Sequence, residues 1–354
     1  MSHFNILYVK TQHRDTCRTM SLKLDKTLDG HQVTVCHTKN FSTLTLSIAK
    51  DLAKMKPTTF LTICSLIISS SCFVKYLALI FMLNIICSNL ALAEGHRFEI
   101  ANSKVVTIKS TVLGKKYDLY IKVPRSYFLV ENKSKKYPVL YLNDGPYTFK
   151  VAAGVTHVRD MDKVITVGIS FAHGEDGQFS RVRDLTPVVD QSWTKYTTGG
   201  ATEYLAFIEK EIFQYIERNY RVNPEQRILS GQSLGGSFAA WVLLTKPELF
   251  STYILTSPSL WFKNNWIFEL ENKYAQKNTS LQANVFMATG ALETLENGMK
   301  EDMVAGHVKF ANLLRSRNYQ KLKLEEEVVE GSDHYSTFPI GLSKGLVKFY
   351  QLQK

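Results

Sequence analysis

Residues Arg227–Gly236 read R-I-L-S-G-Q-S-L-G-G: a short apolar run, then Gly231-Gln232-Ser233-Leu234-Gly235, then the apolar stretch Leu234–Leu244. A strand that feeds a helix through G-x-S-x-G is the setting of a nucleophile elbow, a turn that lifts a serine out of a sheet. The turn is tight enough that side chains two before and two after the serine are expected to collide, which accounts for Gly231 and Gly235. Ser233 is then expected at the strand's C-terminal end with its hydroxyl exposed. Leu234 opens the helix, so its N–H has no partner one turn back and is free for a developing oxyanion.

Working outward, residues 94–354 alternate strand-like and helix-like segments, which predicts one α/β domain: a mostly parallel central sheet with helices on both faces. Lys104–Leu113 and Tyr117–Val123 alternate like an antiparallel pair entering the sheet. Pro138–Leu142, Val164–Phe171, Arg227–Ser230, Thr252–Thr256 and Val285–Thr289 are nearly all apolar, as buried parallel strands are. Leu322–Val329 alternates again, as an edge does. Helical spacing marks Glu203–Arg218, Leu234–Leu244, Met303–Arg315 and Ile340–Leu352. Residues 172–200, rich in Gly, Thr and Ser, read as a long surface excursion suited to a lid or substrate loop.

A serine nucleophile needs a base after the last strand and an acid after an intervening one. Of the five histidines beyond residue 94, His96, His157, His173 and His307 fall before the nucleophile or inside a helical pattern. His334, in Gly331-Ser332-Asp333-His334, occupies the predicted slot. Glu293, in the loop after Val285–Thr289, is placed to orient it, with Glu296, Glu301 and Asp302 as substitutes in the same loop. Asp333 reads as a local hydrogen-bonding residue. A second oxyanion donor is expected after Pro138–Leu142, in Asn143-Asp144-Gly145-Pro146-Tyr147. Pro146 has no N–H, which leaves Gly145 or Tyr147.

Composition bounds the partners. The 354 residues are 45% apolar and 21% charged, which argues against a disordered or fibrous chain. The net charge of +11 divides into +6 before residue 94 and +5 after it, with no long basic run, so no nucleic-acid footprint is visible. All five cysteines (Cys17, Cys36, Cys64, Cys72, Cys87) precede residue 94, so the later domain holds no disulfide, zinc–thiolate site or cysteine nucleophile.

Before that domain, residues 55–93 read as a secretory region. Lys75, an apolar run over Tyr76–Cys87 and Ala91-Leu92-Ala93 have the order of a bacterial signal peptide, with cleavage expected after Ala93. Neither Phe60–Ile68 nor Tyr76–Cys87 reaches the roughly 20 residues of a spanning helix, so no stable membrane insertion is expected after cleavage. Residues 1–54 show no sustained periodicity and no strand-and-turn punctuation. They are expected to lie outside the mature protein, with translation starting further down, at Met55 or Val74. The expected location is periplasmic or secreted.

With these residues in place, the chain resembles the putative-esterase (esterase D-like) family of α/β-hydrolases, and within it the branch of catecholate-siderophore hydrolases. The segments that carry the resemblance are Y-P-V-L-Y-L-N-D-G (Tyr137–Gly145), R-V-R-D-L-T-P (Arg181–Pro187), Gly199-Gly200-Ala201, Ile228–Gly236, S-P-S-L-W (Ser257–Trp261) and Gly331–His334 with Pro339–Leu342. The resemblance implies Ser233 as nucleophile and His334 as base, Arg181 and Arg183 near the substrate mouth, and Trp261 as a pocket wall. The expected reaction is hydrolysis of a carboxylic ester through an acyl-enzyme, with no metal or organic cofactor. The expected partner is a small ester, anionic and aromatic if it is a siderophore, met by Arg181, Arg183, Lys195 and Trp193 or Trp261. A general short-chain esterase, a polysaccharide deacetylase or feruloyl-type esterase, an acyltransferase and a non-catalytic binding module are the alternative readings. The oligomeric state is not legible.

Overall fold

The computed structural model describes residues 13–14, 17–22, 33–37, 95, 98–158 and 161–352. The chain divides into two units, Met1–Arg97 and Phe98–Lys354. In the first, β1 (His13–Arg14), β2 (Cys17–Leu22) and β3 (Val33–His37) form an antiparallel sheet with Arg18 opposite His37 and Leu22 opposite Val33. These strands lie in a stretch where the sequence showed no strand pattern. The secretory segment and its cleavage position fall outside the described residues.

In the second unit the apolar runs become strands in the expected order. Its elements are β4 (Ser103–Lys109), β5 (Lys116–Lys122), β6 (Tyr137–Leu142), α1 (Gly145–Val155), β7 (Ile165–Ala172), α2 (Gly177–Leu185), α3 (Ala201–Phe207) and α4 (Phe213–Asn219). Next come β8 (Val222–Gln232), α5 (Leu234–Thr245), β9 (Thr252–Thr256), α6 (Phe262–Ala275), β10 (Ser280–Gly290), α7 (Met303–Ser316), β11 (Gln320–Val329) and α8 (Thr337–Leu352). One π turn, Ile208–Ile212, joins α3 to α4, so the helical pattern over Glu203–Arg218 is one interrupted helix.

The sheet order is β11-β10-β9-β8-β6-β7-β5-β4, parallel from β11 to β7 and antiparallel at β5 and β4. Both faces of the central strands are covered, which is why they carry no polar alternation: every residue of β9 is buried. Leu140, Leu142, Ile228, Ile254 and Phe286 pack on Phe338, Leu342, Leu346 and Phe349 of α8. The opposite face puts Tyr141, Leu229, Tyr253 and Met287 against Phe207, Phe213, Phe238 and Phe310.

This topology locates the site before any side chain is considered. From β6 the chain goes to β7 on one side and then returns to β8 on the other. Such a reversal opens a crevice at the strands' carboxyl ends. Leu142 is paired with Ser230, two residues before β8 ends at Gln232, so the loop after β6 and the elbow after β8 emerge side by side.

Three helices were not visible in the sequence pattern. Helix α1 begins at Gly145-Pro146, where Asp-Gly-Pro reads as a turn; proline in the first helical turn loses no hydrogen bond and starts the helix instead. Helix α2 lies within the expected surface excursion. Asp176 caps it by accepting from the Gln178 N–H, and it buries Ser180, Val182, Asp184 and Leu185, so 172–200 is partly framework. Helix α6 is kinked near its start, where Lys263, Asn264 and Asn265 take left-handed backbone.

Candidate active site

The nucleophile turn is strained as expected: Ser233 sits at φ 58°, ψ −120°, a region that non-glycine residues occupy only when their surroundings hold them there. The Ser233 N–H donates to the Thr256 carbonyl at 3.0 Å, and the Ser259 N–H donates to the Ser233 carbonyl at 3.1 Å. The requirement for glycine is one-sided. A Cβ on Gly231 would lie 2.3 Å from the Gly235 carbonyl group, whereas one on Gly235 meets nothing nearer than 3.5 Å. The collision expected of both glycines belongs to Gly231.

The candidate base and acid are joined. His334 Nδ1 lies 2.6 Å from Glu293 Oε2. The other carboxylate oxygen, Oε1, accepts from Ser257 Oγ at 2.6 Å and from the Gly290 N–H at 2.7 Å, with Thr337 Oγ1 at 3.0 Å. Glu293 is fully buried. Burial alone pushes its carboxyl up, but the hydrogen bonds from His334, Ser257 and Gly290 outweigh it and hold the group below the usual carboxylate range. Of the alternative acids, Glu296 and Glu301 are exposed, and Asp302 caps α7 by accepting from Ala305 N–H at 2.8 Å. Asp333 takes the local role expected of it, accepting from the Ser336 N–H at 2.8 Å.

The loop bearing His334 is pressed onto the loop bearing Glu293 at Gly290, where a Cβ would stand 2.3 Å from the Ser332 carbonyl oxygen. The Gln232 side-chain amide donates to the His334 carbonyl, which ties the base's loop to the elbow. With its Nδ1–H directed at a carboxylate, His334 presents an Nε2 lone pair, the tautomer a general base needs. Among the described residues, the side-chain partner of Ser233 Oγ is Ser259 Oγ at 3.2 Å; the serine–histidine bond is not made in this conformation. Such bonds commonly tighten only when substrate is present.

At the loop after β6 the choice of oxyanion donor narrows. Tyr147 N–H donates to the Asp144 carbonyl at 2.9 Å and is spent. Gly145 is the first residue of α1, so its N–H has no helical partner. A Cβ on Gly145 would meet the Ile169 carbonyl oxygen at 2.7 Å, which requires glycine where α1 crosses β7.

Arg181 and Arg183, expected at the substrate mouth, are both committed to carboxylates of the fold. Arg181 grips Asp144 through Nε at 2.9 Å and Nη2 at 3.0 Å. Arg183 donates to Asp184 at 2.8 and 3.1 Å, to Tyr117 OH at 3.2 Å, and to Glu175. Trp261 lies beside the nucleophile's neighbour Ser259. It stacks on Trp193, ring centres 6.2 Å apart, and lines a cavity of about 330 Å³ with Pro258, Leu260, Leu295 and Met303. Lys195 lies over the Tyr196 and Phe179 rings. His307 is a core histidine, bonded to Thr289 Oγ1 at 2.8 Å and Glu326 at 2.7 Å; His173 pairs with Asp118. Sequence reasoning assigned no role to Ser257, Ser259 or Thr337. The available signal was S-P-S directly after a buried strand.

A family model described as "Putative esterase" matches residues 110–348. Among curated proteins, the chain is 27% identical over 271 residues to the ferri-bacillibactin esterase BesA of Bacillus subtilis, covering 71% of this chain and 91% of that one. Among solved structures it is similar to the BES protein from Bacillus cereus, at TM-score 0.62 and 29% identity over 72% of this chain and 97% of the other. It is also similar to an IroE-like serine hydrolase from Shewanella oneidensis, at TM-score 0.62 and 28% identity over 70% and 80% of the two chains.

Proposed function

The chain belongs to the putative esterase family and acts on ester bonds, and on that premise we propose that Ser233, His334 and Glu293 cleave the ester by an acyl-enzyme route. The observation that carries the reading is the 2.6 Å contact between His334 Nδ1 and a fully buried Glu293, next to a serine on a strained elbow. Ser233 Oγ attacks the ester carbonyl while His334 Nε2 takes its proton. The Leu234 and Gly145 N–H groups receive the oxyanion. His334 then returns the proton to the leaving alcohol, and water, activated by the same nitrogen, releases the acid.

The substrate proposed is an ester-linked siderophore backbone. The relatives' names support this, since BesA is called a ferri-bacillibactin esterase. So does the stacked Trp193–Trp261 pair beside a cavity walled by Leu260, Leu295 and Met303, which suits an aromatic ligand; the charges on its rim balance, Lys300 and Lys309 against Glu301 and Asp302. The test is turnover of p-nitrophenyl acetate against that of a ferric triscatecholate trilactone. A kcat/KM for the trilactone above that for the acetate is the expected result. Fast acetate hydrolysis with the trilactone untouched would leave a general short-chain esterase.

Export is proposed on the signal-like order of Lys75, the apolar run and Ala91-Leu92-Ala93. Protein recovered from a bacterial periplasm or medium is expected to begin at Glu94. An intact mass that retains residues 75–93 would sink the idea.

A further inference from the structure

We propose that Tyr335 and Tyr147 form an aromatic subsite for the alcohol half of the ester, across Ser233 from the Trp193–Trp261 wall, so that the preferred substrate carries an aromatic group on each side of the scissile bond. The inference rests on the serine mechanism proposed above and deepens it to a substrate class.

The placement follows from the topology. In the sheet order β9-β8-β6, Ser233 follows the middle strand. Trp261 lies in the segment after β9, and Tyr147 in the first turn of α1 after β6. The two aromatic sets also rise from opposite faces of the sheet. Trp193 and Leu260 pack into the layer that holds Phe238 and Phe310. Tyr147 instead leans on Phe338, ring centres 5.7 Å apart, and Phe338 belongs to the layer under α8. Tyr335 stands edge-on to His334, ring centres 6.0 Å apart, and its N–H donates to Asp333 Oδ1 at 3.1 Å, which holds its backbone in the catalytic loop. The two tyrosines are neighbours: burial pushes the Tyr147 phenol up, and repulsion from the Tyr335 phenol adds to the shift.

Neither ring is spent on the core, since Tyr335 is 78% and Tyr147 43% exposed. A single exposed ring needs no function, but two neighbouring rings beside the catalytic base make a surface that a flat ligand group covers. Tyrosine suits the task, because a stiff side chain with two torsions loses little freedom on contact. The mechanism then assigns the halves of the ester. The leaving alcohol takes its proton from His334, so its oxygen comes within hydrogen-bond reach of Nε2 and the rest of the alcohol meets Tyr335, the next residue. The acyl half stays on Ser233 after the first step. Ser259, whose Oγ is 3.2 Å from Ser233 Oγ, leads from there to Trp261.

Two isomeric esters separate the halves: benzyl acetate carries its ring on the alcohol side, methyl phenylacetate on the acid side. Tyr335→Ala is expected to lower the kcat/KM ratio of benzyl acetate to methyl phenylacetate by about three- to tenfold, roughly the worth of one stacked ring. Tyr147→Ala should move the ratio the same way and Trp261→Ala the opposite way. Tyr335→Phe should keep the wild-type ratio, because the ring rather than the hydroxyl makes the contact. A readout independent of turnover is protection: benzyl alcohol should slow fluorophosphonate labelling of Ser233, and Tyr335→Ala should raise the half-protecting concentration by the same factor. An unmoved ratio in folded Tyr335→Ala and Tyr147→Ala, a loss in Tyr335→Phe equal to that in Tyr335→Ala, or no protection by benzyl alcohol would overturn the inference. If Ser233 of the unmodified protein were not labelled at all, the serine mechanism itself would fall; normal labelling with an unmoved ratio would sink only the subsite.

Discussion

Ser233→Ala lowers kcat/KM on p-nitrophenyl acetate by about 10⁴-fold or more, a loss of about 5.5 kcal/mol of transition-state stabilisation, and leaves the thermal midpoint unchanged. The size follows from the role. Without Oγ no acyl-enzyme forms, and the oxyanion donors act only on direct attack by water, which His334 is not positioned to activate in the first step. The fold is spared because the elbow is held by main-chain bonds, Ser233 N–H to Thr256 and Ser259 N–H to the Ser233 carbonyl, neither of which uses the hydroxyl. One neighbour could replace it on distance alone: Ser259 Oγ, 3.2 Å away. Ser259 is buried and lies off the elbow turn that presents a hydroxyl to the crevice, so Ser259→Ala should keep activity within about tenfold of wild type. Ser233→Ala retaining wild-type turnover on every ester the parent cleaves would refute the assignment.

What could be read from the residues alone divides along a physical line. Ser233 and Leu234 were legible because a strand, an elbow and a helix are contiguous, so local sterics speak for themselves. His334 and Glu293 were legible because the parallel topology sends every crossover loop to the same end of the sheet. Contacts made by side chains from distant segments left no trace. Arg181 and Asp144 are 37 residues apart, and nothing in R-V-R-D shows that the first arginine turns to the oxyanion loop and the second to Asp184. The hydroxyls around Glu293 come from the β9 loop and from α8, and became visible only once β9, β10 and β11 lay in register. The helix at Gly145 was masked by a dipeptide that makes turns and helix starts equally well.

Glu293→Gln should cost about 10⁴-fold in kcat, and should be the less active but more stable of two variants at this position, the other being Glu293→Ala. The reasoning turns on which amide atom faces which neighbour. The Gly290 N–H, 2.7 Å from Oε1, is a donor that cannot turn around, and Ser257 Oγ donates to the same oxygen. A glutamine must therefore place its carbonyl oxygen there and its NH₂ against His334 Nδ1. Two donors cannot face each other at 2.6 Å, so His334 must carry its proton on Nε2 and offer the lone pair to the amide. That tautomer cannot accept the Ser233 proton, the fault that costs about 10⁴-fold in the serine-protease template. Alanine imposes no tautomer, so His334 keeps the productive form part of the time. It strands Gly290 N–H and Ser257 Oγ in a buried space, at about 1–3 kcal/mol for each donor left without an acceptor. Thermal midpoints should therefore rank wild type, then Gln, then Ala, while activities rank wild type, Ala, Gln. The advantage of wild type over Gln has a pH limit. The Glu293 carboxyl is held below its ordinary value of 4.5, so its stabilisation is present above that pH and is lost as the pH falls through the lower folded value. Urea midpoints of the two should converge in that acid range. A glutamine variant more active than the alanine one would mean that Glu293 does not set the tautomer of His334, and that the base works as half of a serine–histidine pair.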